Sequence, residues 1–404
     1  MKAGTTRRLD VELCLGGATR PLGRLALHRG QVLFEYDPDF TARPLEVSPV
    51  RLPVGPGTRA APHEPFDGLL GLFADSLPDG WGRLLVDREA DRLGLGRHAL
   101  TPLDRLALVG PDGPGALVYR PSVASPWSGR LDLVALAAQA RRVEQGHAEA
   151  VFAQILALGG SSGGARPKAL VGYRPGDGAA VAGEAPGFVP AIVKFGRHVD
   201  GIDAGAVEVA YAEMARAAGI EVSECWLAAT SPRRPGWFLT RRFDRQPRLH
   251  VHTLAGLLHV DPRVPSLDYR DYLNTTRWLT RDQAAVEQAW LRAAFNVLAH
   301  NRDDHARNFA FVLDAEGAWR LSPAYDLTFS SGPGGEHWTT TAGEGRHPGI
   351  AQLEVLGREA GVSPAAVSRG LDAVQVALGT WRARARNLGV RAATIARITS
   401  VISP

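Results

Sequence analysis

Residues 297–331, VLAHNRDDHARNFAFVLDAEGAWRLSPAYDLTFSS, carry more chemistry than any other segment of the chain. Asp303 and Asn308 stand five residues apart, directly after an apolar helical run, and Arg302 precedes the aspartate. That spacing suits a loop in which an aspartate orients or deprotonates an attacking hydroxyl while an amide holds a metal ion beside phosphate oxygens. A hairpin is predicted next, with NFAFVLD and AWRLSPAYD as strands about a turn at Glu316-Gly317. It ends on Asp326, where this chemistry requires a second metal-binding carboxylate.

Upstream, the remaining parts follow in order. GGSSGGARPK, residues 159–168, is a glycine-rich loop whose main-chain N–H groups suit phosphate oxygens. The chain has only three lysines, Lys2, Lys168 and Lys194, against 43 arginines. A lysine is a compact point charge on a flexible stem, whereas arginine is a planar fork, so the exceptions ask for a reason. AIVK, residues 191–194, places Lys194 on a strand as the best candidate for a phosphate clamp, with Lys168 second. Glu208 follows in a helix, one step off its apolar stripe, where it can pair with Lys194. The order of loop, Lys, Glu, Asp-x4-Asn and Asp predicts an α+β, protein-kinase-like fold of two lobes, one small and α+β, the other helical.

The surrounding sequence fits that division. Residues 1–125 read as strands and turns with a short helical piece near GWGRLLVDREADRLGL, and form an added β-rich N-terminal domain. Residues 126–250 form the small lobe: a helical run through 128–160, strands in KALVGYR and FVPAIVKFG, and two more in VSECWLAAT and GWFLTRRFD. Between them lies a helix with Val207, Ala210, Met214 and Ala217 as its apolar stripe and Gly219 as its stop. Residues 251–404 read as the helical lobe. One helix is predicted to start at Thr280 with Gln283 reaching back as a capping box, burying Val286, Trp290, Ala293 and Val297; another opens at Ser363-Pro364.

Composition bounds the function. With 45% hydrophobic and 22% charged residues the chain is an ordinary globular one, and its net charge of +4 is spread out rather than gathered in a basic tract. Cys14 and Cys225 cannot build a disulfide framework or a structural zinc site. No apolar run is long enough for a signal peptide or a membrane helix, so a soluble cytoplasmic protein is expected.

FADSLPDGWGRLLVDR, SSGGARPKALV, AIVKF, RRFDR, NRDDHARNFAF and LSPAYDL together resemble the HipA family of bacterial serine/threonine kinases, the toxins of HipA/HipB toxin–antitoxin modules. The likeness runs from about residue 10 to the C-terminus. It implies ATP and Mg2+ as cofactors, Asp303 as the catalytic aspartate, Asn308 and Asp326 as magnesium ligands, and Lys194 as the lysine on the ATP phosphates. It also implies an adenine-side hinge at Arg241, Arg242 and Phe243, and phosphate contacts from Ser161, Ser162, Gly163 and Gly164. Ser161, with Ser162 beside it, falls where the family carries an autophosphorylated serine. A helix-turn-helix antitoxin bound to operator DNA and a protein substrate of the translation machinery, such as an aminoacyl-tRNA synthetase, are the implied partners. Asp326 is followed by Leu-Thr rather than Phe-Gly, no Ala-Pro-Glu follows, and the loop is not G-x-G-x-x-G, all unlike ordinary protein kinases.

Several residues have other uses. His305 reads as a hydrogen-bonding support for the loop, or as a metal ligand; His300 reads as a favourable charge at a helix C-terminus. Residues 330–349 occupy the activation-loop position as a substrate platform or a disordered loop. The alternative reading takes HNRDDH as the metal cluster of a metal-dependent hydrolase, with His300, Asp303, Asp304 and His305 as ligands, but this leaves the glycine loop, Lys194 and Glu208 without roles. A non-catalytic scaffold in a repressor complex leaves the full set of catalytic residue types unexplained.

Overall fold

The computed structural model describes residues 6–92, 100–123, 128–146, 153–159, 164, 166–197, 200–228 and 235–402. The N-terminal domain is an antiparallel sheet of β1 (Arg8–Leu15), β2 (Ala18–His28), β3 (Gln31–Tyr36), β4 (Arg59–Ala60) and β5 (Leu117–Arg120), ordered β4-β3-β2-β1-β5. Leu9, Val11, Leu13 and Leu15 alternate along β1 and bury one face, as a half-covered strand requires. The domain is more helical than its sequence predicts: α1 (Pro38–Ala42), α2 (Gly71–Ala74) and α4 (Pro102–Val109) bury residues against the sheet, while α3 (Gly80–Arg92) packs on the small lobe through Trp81 and Leu85. Only the α3 region was expected, yet α4 carries a clear signal, a capping box between Thr101 and Asp104 with proline in the first turn.

The small lobe is a six-stranded sheet of β6 (Arg130–Leu131), β7 (Lys168–Arg174), β8 (Ala179–Ala182), β9 (Val189–Lys194), β10 (Cys225–Ala228) and β11 (Trp237–Arg241), ordered β10-β11-β9-β7-β8-β6. The helical run before it is broken into α5 (Leu133–Glu144) and α6 (Ala153–Gly159), because α5 closes at Gln145 and Gly146 turns left-handed at φ +91°. Helix α7 (Ala204–Ala217) buries Val207, Ala210 and Met214 as expected and ends before Gly219. Ala217 departs from the predicted stripe and is exposed; Tyr211 and Ala218 take the inward positions.

The helical lobe begins with β12 (His250–Thr253) and α8 (Leu254–Leu258), then β13 (Leu267–Asp268), α9 (Tyr269–Thr280) and α10 (Gln283–Leu298). Strands β14 (Ala310–Leu313), β15 (Trp319–Leu321) and β16 (Thr339–Thr340) precede α11 (Ile350–Glu359), α12 (Pro364–Gly379), α13 (Trp381–Asn387) and α14 (Ala392–Ile402). Helix α10 lies at the centre, with Val286, Trp290, Ala293 and Val297 buried. Its predicted cap is wrong. Thr280 closes α9, and Asp282 is the N-cap of α10, accepting from the Ala284 N–H at 2.9 Å. Gln283 does not reach back; its amide donates to the carbonyls of Ala360 and Gly361. Asp outcompetes Thr because its carboxylate is as good a cap and sits beside the helix start. Ser363 caps α12 as expected, accepting from Ala366 N–H.

Two seams fasten the N-terminal domain to the rest. In one, the Asp244 carboxylate accepts from Arg242, Arg245 and the Gly115 N–H, while Arg245 donates onward to the carbonyls of Gly113 and Gly115. In the other, Asp75 accepts from the N–H and hydroxyl of Thr253, both at 2.7 Å, and lies 2.6 Å from His252 Nδ1, whose other nitrogen is 2.9 Å from Ser48 Oγ. Ser48 and His252 are buried, so this Ser-His-Asp chain is a fastening with no route for a substrate. Among the described residues no helix is long and apolar enough to cross a membrane.

Candidate active site

Antiparallel pairing explains the two isolated lysines. Lys168 opens β7, Lys194 closes β9, and the register sets them directly opposite each other. Like charges facing across a strand pair repel, so the arrangement needs anions nearby. Lys194 supplies the answer by bridging two: its Nζ lies 2.5 Å from Glu208 Oε1 on α7 and also pairs with Asp326. Burial works against the Lys194 charge, but Asp326 and Glu208 outweigh it and raise its pKa. Lys168 forms no ion pair among the described residues; burial first, then the Lys194 charge, pull its pKa down against Asp326 and Asp79.

Glu208 is buried rather than half-solvated, and takes a second cation, Arg166, at 3.4 Å. Arg166 was not anticipated, although it sits two residues before Lys168 in the glycine-rich segment. Asp326 stands at φ +53°, a left-handed conformation uncommon for a non-glycine residue and worth about 1–3 kcal/mol of strain. Burial disfavours its charge, but Lys194 and Lys168 hold the carboxyl well below the usual carboxylate range.

Asn308 lies in a short 3-10 turn, and its amide N–H donates to the Asp303 main-chain carbonyl at 2.6 Å. That leaves the amide oxygen for another partner. Asp303 is exposed and is not among the residues lining the cleft; it lies within the field of Arg197. The five-residue spacing thus brings the Asp303 main chain and the Asn308 side chain together, while Asn308 and Asp326 both line one cleft of about 220 Å³ with Lys168 and Lys194. Part of its lining is apolar. Leu170 and Ile192 line it, with Phe243 stacked on Tyr325 at 5.8 Å between ring centroids.

Thr240, Arg241, Arg242 and Phe243 form the cleft edge where the hinge was expected. Arg242 is committed elsewhere, to Asp244 and to the carbonyls of Asp112 and Gly113. Gly164 lines the cleft; Ser161, Ser162 and Gly163 lie outside the described residues.

Two histidine expectations need correction. His305 lines the cleft, and among the described residues its buried Nδ1 has no hydrogen-bond partner, so that nitrogen does not tie the loop down. Its neighbour Asp304 does. Fully buried, Asp304 accepts from Tyr269 Oη and the Trp338 N–H, both at 2.8 Å, lies 2.8 Å from His337 Nδ1, and its carbonyl accepts from Thr339 Oγ1. This carboxylate seats residues 337–339 against the loop of residues 303–308. His300 does not serve as a helix-end charge: burial, then the nearby Arg302, lower its pKa to about 4, and the neutral ring stacks on Phe329. With Asp304 spent on Tyr269 and His337, the HNRDDH hydrolase reading loses its ligand set; among the described residues no group of three or more metal-binding side chains forms.

Arg307 and Asp79 were also missed. Arg307 Nη1 lies 2.6 Å from Asp79 Oδ2, and its carbonyl accepts from Tyr325 Oη at 2.6 Å. Asp75, Leu77, Asp79, Asp112 and Pro114 make the N-terminal domain a wall of the cleft. Asp79 lies within FADSLPDGWGRLLVDR, a stretch already singled out in the sequence, but its partner is 228 residues away and no local pattern reveals it.

The residues suit a magnesium nucleotide. Asp326 and Asn308 offer the hard oxygen donors, one carboxylate and one amide, with which magnesium supplements phosphate oxygens. Two ammonium groups face the same space, and the Phe243–Tyr325 pair suits a flat base.

Comparison with known proteins finds two family matches along the chain. The HipA-like C-terminal domain matches residues 160–382 and the HipA N-terminal domain residues 15–120. Among solved structures, the chain is similar to HipA in the Shewanella oneidensis MR-1 toxin–antitoxin complex of HipA, HipB and operator DNA. The TM-score is 0.69 at 16% identity, over 98% of this chain and 95% of that one. The Helicobacter pylori proinflammatory kinase CtkA aligns with TM-score 0.33 at 9% identity, over 54% of this chain and 94% of that one. No curated protein sequence matches. With both of its domain types matched in order over most of the chain, the protein belongs to the HipA family.

Proposed function

We propose that the protein is an ATP- and Mg2+-dependent serine/threonine protein kinase. The observation that carries this reading is the Lys194 ammonium held between Glu208 and Asp326, in a cleft shared with Asn308. Lys194 and Lys168 would neutralise phosphate oxygens, and Glu208 would keep the Lys194 amine from collapsing fully onto Asp326. Asp326 and the Asn308 amide oxygen would hold magnesium, which when bound offsets charge on the transferred phosphoryl group. Asp303, which is exposed, would orient the acceptor hydroxyl and take its proton. The apolar part between Leu170, Ile192 and the Phe243–Tyr325 pair would take the adenine and exclude water.

Family membership supports the role of toxin in a toxin–antitoxin module, with a HipB-like helix-turn-helix antitoxin that binds operator DNA. It likewise supports a substrate in the translation machinery and self-modification at Ser161 or Ser162. In the test, purified protein is incubated with γ-labelled ATP and magnesium. Label should enter the peptide containing Ser161 and Ser162, and Asp303→Asn or Asp326→Asn should reduce transfer by at least about 10³-fold with the fold intact. Undiminished labelling in both variants would overturn the assignment.

A further inference from the structure

Asp79 stands at the start of α3 in the N-terminal domain, yet its carboxylate faces two loops of the cleft at once. One oxygen accepts from the Gly164 N–H, and the other lies 2.6 Å from Arg307 in the catalytic loop. The Gly164 peptide is gripped on its other side too, because its carbonyl accepts from the Trp81 N–H at 3.0 Å. Trp81 also donates through Nε1 to the Lys168 carbonyl at 3.0 Å. Arg307 donates its second terminal nitrogen to the Ala74 carbonyl. Gly164 stands at φ +89°, a left-handed backbone conformation that strains any residue with a side chain.

A plain tether between domains would explain such contacts, but that task is already done. The Asp244–arginine seam and the Asp75–Thr253 seam hold the N-terminal domain in place. What Asp79 adds is a link between the end of the glycine-rich segment and the catalytic loop. Those are the two elements whose separation fixes the distance from phosphate donor to acceptor, and a displacement of about 1 Å costs on the order of 10²-fold in rate. Burial opposes the Asp79 charge, but Arg307, the Gly164 N–H and Lys168 outweigh it, so the carboxylate stays ionised.

We propose that Asp79 is a positioning residue for phosphoryl transfer, its carboxylate setting the glycine-rich segment and the catalytic loop at one spacing, so that the N-terminal domain is a working part of the transfer site. This rests on the kinase reading. The test compares the full chain with Asp79→Asn, Asp79→Glu and Arg307→Gln by Mg-ADP affinity, single-turnover transfer from Mg-ATP, thermal midpoint, and amide exchange. Asp79→Asn should keep nucleotide affinity within about threefold and the thermal midpoint near the parent's, and lower the transfer rate by roughly 10- to 100-fold. Amide exchange should quicken in peptides covering residues 159–168 and 305–309, and not in β1 to β3. Asp79→Glu should recover part of the rate, and Asp79→Asn with Arg307→Gln should cost little more than either alone. Unaltered exchange in both peptides, or a parental rate with a lowered thermal midpoint, overturns the proposal. Should the parent bind Mg-ADP but transfer no phosphate, the kinase reading fails, while exchange still decides whether Asp79 sets the two loops.

Discussion

At the scale of single residues, Asp304 shows how much the loop of residues 303–308 depends on one buried carboxylate. It is a buried carboxylate with four side-chain and main-chain partners around it, and Tyr269, which donates to it, is itself fixed by Asn296 at 3.0 Å. Burial, reinforced by the Asp304 charge, raises the Tyr269 pKa far above its usual value, so its hydroxyl stays a donor. Asp304→Asn would keep the volume but turn one acceptor into a donor aimed at donors. We expect a loss of about 3 kcal/mol, read as a lower thermal midpoint together with new protease cleavage within 330–349. The sequence made Asp303, Asn308, Asp326, Lys194 and Glu208 legible because each sits in a short pattern whose chemistry is self-explanatory. It did not reveal Asp304 as a keystone or Asp79 as a wall of the cleft, because each acquires its role from partners at least 30 residues away.

Strands and helices were legible where their own residues decide them. The hairpin at Glu316-Gly317, the Ser363-Pro364 start and the inward face of α10 follow from turn chemistry, capping and a 3.6-residue period. Thr280 failed because two adjacent caps compete, and only the packing of α9 against α10 shows which helix each side chain serves. The strand register that opposes Lys168 and Lys194 cannot be read from spacing alone, since a strand lies between them in sequence. Helix α12 yields a direct test. Gly370 lies against the buried Trp290 ring, where a Cβ would come within 2.5 Å of Cζ3, and Gly357 on α11 makes a similar approach. Gly370→Ala gains up to about 1 kcal/mol of helix propensity but overpacks a rigid indole at a cost of about 1–3 kcal/mol. A net fall in the thermal midpoint is expected, and Trp290→Phe should partly restore the double variant.

Across the whole molecule, three folding units meet around one cleft, and the seam holding the N-terminal domain carries its own pH dependence. His250 Nε2 lies 2.9 Å from the Val47 carbonyl, and burial, aided by His252, lowers its pKa to about 3. The groups facing it are His252 and, beyond that, the Asp75 carboxylate. In the unfolded chain the ring titrates near 6.5. Unfolding therefore takes up a proton between those values, so the His250 contribution to stability is complete above about pH 6.5 and falls by up to ~1.4 kcal/mol per unit down to about pH 3. His250→Gln should flatten the urea midpoint between pH 7 and pH 5 relative to the parent; an equal slope in both proteins would assign the acid sensitivity elsewhere. The seating of residues 337–339 by Asp304 has a consequence for control. A segment already held by an internal carboxylate leaves little slack for a phosphate to take up, so, on the kinase reading, a covalent mark on residues 337–339 would have little left to order.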